Sequence, residues 1–400
     1  MPKGTARPSK PRADFPLFPH PNGQWSKKVL GRPRYFGPWG KGLPREVQSQ
    51  LAVEAERLWD IQKSDLRAGR EPRDHRVVLG TLTIRDLCND FMASQELRTN
   101  TSELSSRQFD DYLRAVTLVA DTFGRDRTVE DLHPTDFRKL KSLLAQKHKT
   151  PGSLKREMTN CRAIFNWAMR NDRVQKLIRF GDDFRLPSTT AVREHKQKKK
   201  REHGERCFEA GQCIELIDEA STPQLKAMIL LGLNCGLGNT DIREMTFADM
   251  DLVGGWIDYP RSKTGCERVA KLWPETVGAI EAYLPQRKEP KDSHHSEVVF
   301  ITRYGNPYGD GADGNDPICA VFYKLLNKLG MYREGLSFYT LRHTYRTQAD
   351  SSKDEPAVNL TMGHVDPTMG ASYRQHIDDD RIQAVSEHVR GWLFRPIDSN

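Results

Sequence analysis

The stretch MGHVDPTMGASYRQHI (residues 362–377) places His364 directly after Gly363 and Tyr373 nine positions further on. Taken alone, this spacing has ordinary explanations, because a histidine after a glycine is typical of a helix C-terminus and most tyrosines are packed aromatics. The same two side chains could instead bind and attack a phosphate group. The rest of the 400 residues decides between these interpretations, and with them the fold.

The composition is that of a surface-rich globular chain with more than one hydrophobic core. Four hundred residues exceed what a single core usually organises, so we expect two domains and an extension. The sequence has no uninterrupted apolar run of the roughly 18 residues that a membrane helix needs. Its basic, proline-rich N-terminus lacks the apolar centre of a secretory signal. We therefore expect a cytoplasmic protein with no membrane partner.

The sequence gives little support to metal or cofactor chemistry. Its seven cysteines are scattered and form no C-x-x-C pair, which favours reduced thiols and argues against zinc. The histidines of SHHSE (293–297) are typical of a solvated loop. GDGADGND (309–316) lacks the ligand spacing of a calcium loop and is predicted to be a mobile turn. We expect no cofactor and no metal.

Positive charge is concentrated at two places. Residues 1–50 hold ten Lys or Arg and two acidic residues, so this segment alone accounts for the net charge of +8. A second cluster, KQKKKR (196–201), lies in a segment without visible hydrophobic periodicity that is predicted to be a linker. One charge run is most often a solvated tail, but two runs flanking a folded segment favour nucleic acid as a partner. The candidate DNA contacts of the second cluster are Lys198, Lys199, Lys200 and Arg201.

The segment NGQWSKKVLGRPRYFGPWG (22–40) is predicted to form two short strands around Gly31-Arg32-Pro33, followed by a helix at 44–68. Its aromatic side chains could be exposed for a DNA groove or could form a small core, and the pattern leaves both open. These side chains are Trp25, Tyr35, Phe36 and Trp39. The interleaved basic residues are candidate DNA contacts, namely Lys27, Lys28, Arg32 and Arg34.

The region 80–172 has the pattern of a helical bundle. Helices are predicted at 84–97, 105–123, 134–147 and 153–170, the first with an N-cap at Thr83. The last helix has an apolar stripe that indicates core packing, and its other side is basic. The candidate DNA contacts on that side are Lys155, Arg156 and Arg162.

After the linker the pattern changes to α+β. A β-hairpin is predicted in GGWIDYPRSKTGCERVAKLW (254–273), and another strand in VVFIT (298–302). Seven helices are predicted around them, at 208–219, 222–234, 274–284, 317–329, 341–350, 354–362 and 380–393. The predicted fold is therefore mainly α with a small β-sheet. Its predicted parts are a small basic N-terminal β extension (1–50), a helical domain (80–175), a basic linker (186–206) and an α+β domain (207–395).

Three further stretches of the α+β domain lie before residues 362–377. LNCGLGNTDIREMTFADMDL (233–252) closes one predicted helix and opens the next, RSKTG (261–265) places Lys263 in the hairpin turn, and FYTLRHTYRT (338–347) places Arg342 near a helix start. Each motif is common alone. Their ordered set, with a tyrosine nine residues after G-H, resembles the tyrosine recombinase (phage integrase) family.

The resemblance covers roughly residues 80–395 and has structural and chemical implications. It implies a core-binding domain in the helical region, a catalytic domain after the linker and, on the sequence of the first 50 residues, an arm-type DNA-binding extension. Tyr373 would cut DNA through a covalent 3′-phosphotyrosyl intermediate. Arg342 would offer a bidentate fork to the scissile phosphate, and His364 would donate a hydrogen bond to it. Lys263 would protonate the departing 5′ oxygen, with no need for ATP or metal.

The implied function is site-specific recombination of double-stranded DNA, for integration or excision of a mobile element. The implied assembly is a homo-tetramer on DNA, in which the amphipathic C-terminal segment contacts a neighbouring subunit. An alternative is a catalytically impaired relative that binds a specific DNA site as an accessory or regulatory protein. A topoisomerase-like relaxing enzyme is a third hypothesis.

Two positions depart from the family's pattern. Gly238 stands where the usual T-G-L-R-x-x-E-L has the first of two phosphate-clamping arginines, although Asp241 fills the acidic position. Tyr339 stands at the position of a family histidine, and as a candidate catalytic residue it can hydrogen-bond a phosphate but is a poor proton acceptor. Losing one such charge-stabilising donor typically lowers the rate by on the order of 10² to 10³.

Other arginines could replace the missing one. Arg261 and Arg268, on the two sides of the hairpin, could reach the phosphate. Arg243 is expected to face elsewhere, because five residues along a helix correspond to a rotation of about 140°.

Overall fold

The computed structural model describes residues 7–72, 74–261, 265–309, 316–366 and 368–395. The chain divides into two compact units, residues 1–195 and 196–400. Helices dominate both units, and in the described ranges each unit contains one three-stranded antiparallel sheet. The predicted fold class, mainly α with small β-sheets, is confirmed. Lys263 and the predicted mobile turn, except its end residues 309 and 316, lie outside the described residues.

The first unit opens with a small sheet that packs against one long helix. The sheet has the order β1-β2-β3, and the elements are β1 (Phe18–Pro19), β2 (Gln24–Val29), β3 (Arg32–Pro38) and α1 (Arg45–Arg67). Of the four aromatic residues, Trp25, Phe36 and Trp39 are buried and Tyr35 is 41% exposed. Of the two alternatives that the sequence left open, three of these side chains therefore form the small core and are not exposed for a DNA groove.

This N-terminal core extends beyond the predicted boundary at residue 50. Trp59 and Leu66 of α1 belong to the same cluster as Trp25 and Phe36, and the rings of Phe36 and Trp59 meet edge to face at 5.4 Å. A three-stranded sheet of this size has one apolar face to cover, and α1 covers it. The N-terminal element is therefore a sheet plus a helix.

The remainder of the first unit is the predicted helical bundle. Its helices are α2 (His75–Val78), α3 (Ile84–Asn100), α4 (Ser106–Phe123), α5 (Pro134–Lys147) and α6 (Pro151–Arg170). The capping box of Thr83 with Asp86 is present at the start of α3, as predicted. The apolar stripe of α6, including Met158 and Phe165, lies in the bundle core, which confirms that it is structural.

The predicted linker contains a helix that the sequence pattern did not indicate. Helix α7 (Thr189–His203) runs through the basic cluster and has no buried residue. Hydrophobic periodicity is a sign of burial, and here no face is buried. The run of Lys, Arg, Gln and Glu in α7 favours a helix through intrinsic propensity instead.

The second unit surrounds a central apolar helix with a second sheet and further helices. Its strands have the order β4-β5-β6. The elements are α8 (Ala210–Asp218), α9 (Pro223–Asn234), α10 (Asn239–Glu244), β4 (Met250–Asp251), β5 (Trp256–Asp258), β6 (Val269–Lys271), α11 (Pro274–Tyr283), α12 (Pro317–Lys328), α13 (Tyr339–Ala349), α14 (Glu355–Met362), α15 (Met369–Tyr373) and α16 (Asp379–Phe394). Helix α9 is buried on all sides over its last turns, as expected for a helix at the centre of a core.

The strand predicted at 298–302 is wrong. Val298 and Ile301 form only isolated bridges, to Thr246 and Pro307. Val299, Phe300 and Ile301 are all buried, so the run has no alternation between a core face and a solvent face. The segment is apolar because it crosses the core as a loop, not because it joins a sheet.

The C-terminal helix α16 packs on its own unit. Its apolar residues Ile382, Val385, Val389 and Leu393 are buried, and it contacts α8, α13, α14 and β6. The apolar face on which the expected contact to a neighbouring subunit rested is therefore covered within the chain. None of the helices in the described ranges is long and apolar enough to cross a membrane.

Asn234 joins four elements of this unit through one buried amide. Its Oδ1 accepts hydrogen bonds from the Trp273 backbone N–H at 2.7 Å and from the Thr276 hydroxyl at 2.9 Å. Its Nδ2 donates to the Lys271 carbonyl at 2.9 Å and to the Ser386 hydroxyl at 3.2 Å. All four hydrogen-bonding positions of the amide are used, so no hydrogen bond of the buried group is left unmade. The same bonds fix α9 against β6, α11 and α16.

We expect Asn234→Ala to lower the free energy of unfolding by about 2–4 kcal/mol, because several buried donors and acceptors lose their partner together. Denaturant titration measures the change. The control is Asn327→Ala on the exposed side of α12, where Asn327 Nδ2 donates to the Tyr323 carbonyl at 2.7 Å. The control should change stability by no more than about 0.5 kcal/mol. Equal changes in both variants would contradict the assigned role of Asn234.

Candidate active site

Arg342 lies in the first turns of α13, with its guanidinium directed inward and only 2% of the residue exposed. It donates to the Gly236 carbonyl, and its Nη2 donates to the Met362 carbonyl at 2.9 Å. Nη2 also lies 2.8 Å from Nε2 of His364. Because a guanidinium can only donate, the imidazole nitrogen is the acceptor in this contact. Two of the residues chosen from the sequence are thus in direct contact.

The turn at the end of α14 determines the position of His364. Gly363 is left-handed, with φ of 59°, and its N–H donates to the Leu360 carbonyl at 3.0 Å. The His364 N–H donates to the Asn359 carbonyl at 2.9 Å. This pair of bonds is the Schellman arrangement that ends many helices. The ordinary explanation of the glycine is therefore correct, and the same turn directs the histidine at Arg342.

Its surroundings keep His364 neutral. Burial, which is the largest cause, and the positive charges of Arg342 and Arg261 together lower the pKa of His364 from 6.5 to about 4. A neutral imidazole that accepts at Nε2 carries its proton on Nδ1. His364 can therefore donate one hydrogen bond to a phosphate oxygen and is not a cation at neutral pH.

Asp241 is the one carboxylate among these cations in the described part of the site. Its Oδ2 accepts from the Gly238 backbone N–H at 2.8 Å and so caps α10. Its Oδ1 accepts from Nη2 of Arg268 at 2.9 Å, and its Oδ2 lies 3.9 Å from Nη1 of Arg342. One negative charge thus lies between two guanidinium groups, and the pocket retains an excess of positive charge.

Arg268 arrives from the hairpin. The Tyr259 N–H donates to the Arg268 carbonyl at 2.9 Å, and the guanidinium carbon of Arg268 lies 5.2 Å from the centroid of the Tyr259 ring. Arg268 has no exposed surface, and its Nε and Nη1 have no hydrogen-bond partner in the described residues. Arg261 is paired across the same hairpin with Cys266 and is partly exposed.

Gly363 lies against both hairpin arginines. A Cβ atom on Gly363 would lie 2.8 Å from Cβ of Arg261 and 3.1 Å from Nε of Arg268. The hairpin and the turn that bears His364 are therefore in close contact. The sequence alone had suggested that Arg261 or Arg268 could reach the site, and the structure brings both to its edge.

Arg243 faces away, as the helical rotation predicted. Its Nη1 donates to the Gly309 carbonyl at 3.2 Å and lies 3.7 Å from Oδ2 of Asp316. These partners hold the guanidinium on the other side of α10.

Tyr339 covers Gly238. The ring of Tyr339 meets the His343 ring edge to face at 5.3 Å and is 40% exposed. A Cβ atom on Gly238 would lie 3.2 Å from Cε2 of Tyr339. The two departures from the family's pattern are therefore neighbours, and the aromatic ring fills space that a side chain at position 238 would enter.

Tyr373 is at the end of the five-residue helix α15 and is 77% exposed. The preceding loop is closed by Asp366, whose carboxylate accepts from the Thr368 N–H at 3.0 Å and from Nη1 of Arg374 at 3.2 Å. The described contacts do not bring the Tyr373 hydroxyl to Arg342 or His364. Lys263 lies outside the described residues. The structure therefore brings Arg342 and His364 together and leaves the side chain of Tyr373 in solvent.

The basic residues chosen in the N-terminal sheet differ in their environment. Lys28, Arg32 and Arg34 are exposed. Lys27 is held within the sheet-and-helix element, since its Nζ donates to the Pro16 carbonyl at 2.8 Å and lies 5.7 Å from the Trp59 ring. The first three are therefore better placed for a contact with DNA.

On α6, Lys155 and Arg162 are partly exposed and Arg156 is exposed. Arg156 pairs with Glu157 at 2.9 Å, and Arg162 stacks on the Phe180 ring at 4.5 Å. This side of α6 is polar and basic, as predicted.

On α7, three of the four chosen basic residues have a glutamate nearby. Lys199 pairs with Glu334, Lys200 lies 2.7 Å from Glu205, and Lys198 lies 3.8 Å from Glu202. Arg201 is exposed. Surface pairs of this kind contribute little to stability.

Comparison with known proteins identifies the class of fold. The chain is similar to a lambda integrase dimer bound to a COC′ core site, with a TM-score of 0.55, 15% identity, and coverage of 92% of this chain and 98% of that one. It is also similar to the Tn1549 transposon integrase (residues 82–397) in complex with circular intermediate DNA, with a TM-score of 0.51, 14% identity, and coverage of 76% and 98%. The fold is that of an integrase with its core-binding and catalytic regions.

The family follows from the sequence comparisons. Residues 207–380 match the phage integrase family. Tyrosine recombinase XerC from three strains of Xanthomonas campestris pv. campestris is 22% identical over 264 residues, which span 64% of this chain and 74% of the relative. These findings support the tyrosine recombinase (phage integrase) family, whose domain residues 207–380 match.

We expect Gly363→Ala to destabilise the protein by more than about 1–2 kcal/mol, because a left-handed backbone is strained for alanine and the new methyl group meets Arg261 and Arg268. Denaturant unfolding measures the loss. Gly278→Ala is the matched control, since a Cβ atom there meets nothing within 4 Å and the residue lies inside α11. The control should be neutral or slightly stabilising. A neutral Gly363→Ala would show that the turn is not constrained as described.

We expect the stability difference between the wild type and His364→Gln to depend on pH. Between pH 6.5 and about 4 the unfolded state binds more protons at His364 than the folded state does. The contribution of the neutral imidazole is therefore complete above pH 6.5 and declines as the pH falls toward 4. Denaturant unfolding of both proteins at pH 7.5, 6 and 5 measures this. A difference that is constant over this range would contradict the burial of His364 beside Arg342.

Proposed function

We propose that the protein is a site-specific DNA recombinase that cuts and rejoins DNA through a 3′-phosphotyrosyl intermediate at Tyr373. The observation that carries this proposal is the excess of buried positive charge around Asp241. Arg342 and Arg268 lie on either side of one carboxylate, and both guanidinium groups are within 3.9 Å of it. Buried cations without matching anions are costly, and a phosphate group would balance these.

The proposal assigns a role to each of the site residues. The Tyr373 oxygen would attack the phosphorus, and the bond from phosphorus to the 5′ oxygen would break. Arg342 and His364 would donate hydrogen bonds to the non-bridging oxygens, on which negative charge develops. Lys263 would give its proton to the departing 5′ oxygen. The phenol proton would pass to water, since Tyr373 is exposed. Attack by a 5′ hydroxyl on the phosphotyrosine reverses these steps and rejoins the strand.

Integration or excision of a mobile element is the finer form of the proposal. It is supported by the likeness to a lambda integrase and to a transposon integrase, both in complex with DNA. Lys28, Arg32 and Arg34 in the N-terminal sheet, the basic side of α6 and the basic cluster of α7 are the proposed contacts to DNA phosphates. Binding through such contacts should weaken steeply as salt is raised.

The proposed assembly on DNA is a homo-tetramer, because exchange between two duplexes needs four nucleophiles. A lambda integrase tetramer bound to a Holliday junction has a TM-score of 0.53 to this chain. A contact of the C-terminal segment with a neighbouring subunit belongs to the same proposal. Because the apolar face of α16 is buried, this contact requires the residues after Phe394 or the release of α16 from its own unit.

A second candidate function rests on Gly238 and Tyr339. With glycine at the arginine position and an aromatic ring over it, the chain could be an accessory protein that binds a specific DNA site without cutting it. Retention of Arg342, His364 and Tyr373 in one ordered set favours the recombinase, because a pure binding protein has no use for them.

The test uses a supercoiled plasmid that carries the DNA flanking the gene. We expect SDS denaturation of the reaction to reveal protein covalently joined to DNA, and we expect Tyr373→Phe to bind the same DNA without forming the adduct. An adduct of equal yield in Tyr373→Phe would exclude Tyr373 as the nucleophile. Tight, salt-sensitive binding with no adduct from the wild type would favour the accessory protein.

A further inference from the structure

A side chain at position 238 would crowd the ring of Tyr339. Gly238 begins α10, and the Tyr339 ring lies 3.2 Å from where its Cβ atom would be. The acidic residue that accompanies this position, Asp241, is nevertheless present and buried. A buried carboxylate needs a cationic partner, and in this chain the partner is Arg268, at 2.9 Å.

Arg268 is held in one place by three neighbours. Asp241 binds its Nη2, the Tyr259 ring lies against the guanidinium, and the Gly363 turn approaches its Nε. Because Gly363 has no Cβ atom, the guanidinium of Arg268 can lie next to the backbone that bears His364. The side chain therefore reaches from the hairpin to the start of α10.

The free donors of Arg268 are the second observation. Nε and Nη1 are buried and lack hydrogen-bond partners among the described residues, while Nη2 is used by Asp241. Unsatisfied donors on a buried cation are rare in proteins, and a bound anion would satisfy these. Nε and one Nη of an arginine form the fork that fits two oxygens of a phosphate.

We propose that Arg268 is the second phosphate-binding arginine of this recombinase and takes over from the position that Gly238 leaves empty. Asp241 holds it by one nitrogen, and its free N–H groups bind a non-bridging oxygen of the scissile phosphate opposite Arg342. This inference rests on the proposed function and deepens it, since it specifies how a site without the family's first arginine stabilises the charge that develops on phosphorus.

Burial does not argue against this role. Arg342, the arginine that the family motif places on the phosphate, is 2% exposed, and Arg268 is 0% exposed. Both guanidinium groups are thus equally covered in the absence of DNA. Arg261 is the rival, because it lies on the same hairpin and beside the same glycine, but it does not share the Asp241 carboxylate.

The test measures the rate of covalent adduct formation on the mapped cleavage site for the wild type, Arg268→Ala and Arg261→Ala. We expect Arg268→Ala to lower the rate by about 10² to 10³ and Arg261→Ala to lower it by less than about tenfold. Arg243→Ala, which removes a guanidinium from the far side of α10, is the control and should remain within about threefold of the wild type. Thermal unfolding and salt-dependent DNA binding show that each variant is folded.

A substrate with a methylphosphonate at the cleavage position separates a contact with phosphate from a structural role. Replacing one non-bridging oxygen by a methyl group removes the charge that Arg268 would stabilise. The loss caused by Arg268→Ala should therefore fall below about tenfold on this substrate. Arg268→Gln, which keeps a donor for Asp241, serves the same comparison if Arg268→Ala does not fold.

Each outcome is decisive. An equal loss on the phosphodiester and the methylphosphonate would make Arg268 a structural residue and overturn the inference. A large loss in Arg261→Ala with none in Arg268→Ala would assign the phosphate to Arg261. If the wild type forms an adduct and Arg268→Ala forms it equally fast, the inference fails while the proposed function stands. If the wild type forms no adduct on its DNA, the proposed function fails and the inference with it.

Discussion

The carboxylate of Asp241 is the interaction on which the described site depends. It caps α10 through the Gly238 N–H, binds Arg268 of the hairpin and lies 3.9 Å from Arg342 of α13. Three elements that are distant in sequence are thus positioned by one negative charge. Because two cations share this carboxylate, the pocket has an excess of one positive charge. A DNA phosphate would neutralise that charge. Burial, together with this excess of positive charge, lowers the pKa of His364, so the histidine is a neutral donor.

Much of the fold could be predicted because its signs are local. Prolines begin α5, α6, α9, α11 and α12, and the Thr83 capping box begins α3. A few neighbouring residues therefore determine each of these helix starts. The errors occurred where structure depends on the environment. Helix α7 buries nothing and so has no periodicity, and VVFIT is apolar because it crosses the core without a strand to pair with. The length of the N-terminal element depends on whether α1 packs against the sheet, and no local sequence pattern indicates this tertiary contact.

The site was predictable as an order of motifs but not as a set of contacts. The spacing of Arg342, His364 and Tyr373 indicated the family, and the structure brings the first two together at 2.8 Å. The connection between Asp241 and Arg268 spans 27 residues and depends on the register of the hairpin, in which Tyr259 lies opposite Arg268. Gly363 appeared from the sequence to be only the end of a helix. Its second role, leaving room for both hairpin arginines, is visible only in three dimensions.

The most direct test of this account is a crystal structure of Tyr373→Phe bound to a duplex that contains its cleavage site. The account predicts that Arg268 and Arg342 both lie within hydrogen-bond distance, roughly 2.7–3.2 Å, of the non-bridging oxygens of one phosphate. It also predicts that Asp241 still holds Arg268 and that position 238 makes no contact with that phosphate through a side chain. A phosphate bound by Arg342 and Arg261, with Arg268 remaining buried away from it, would contradict the account.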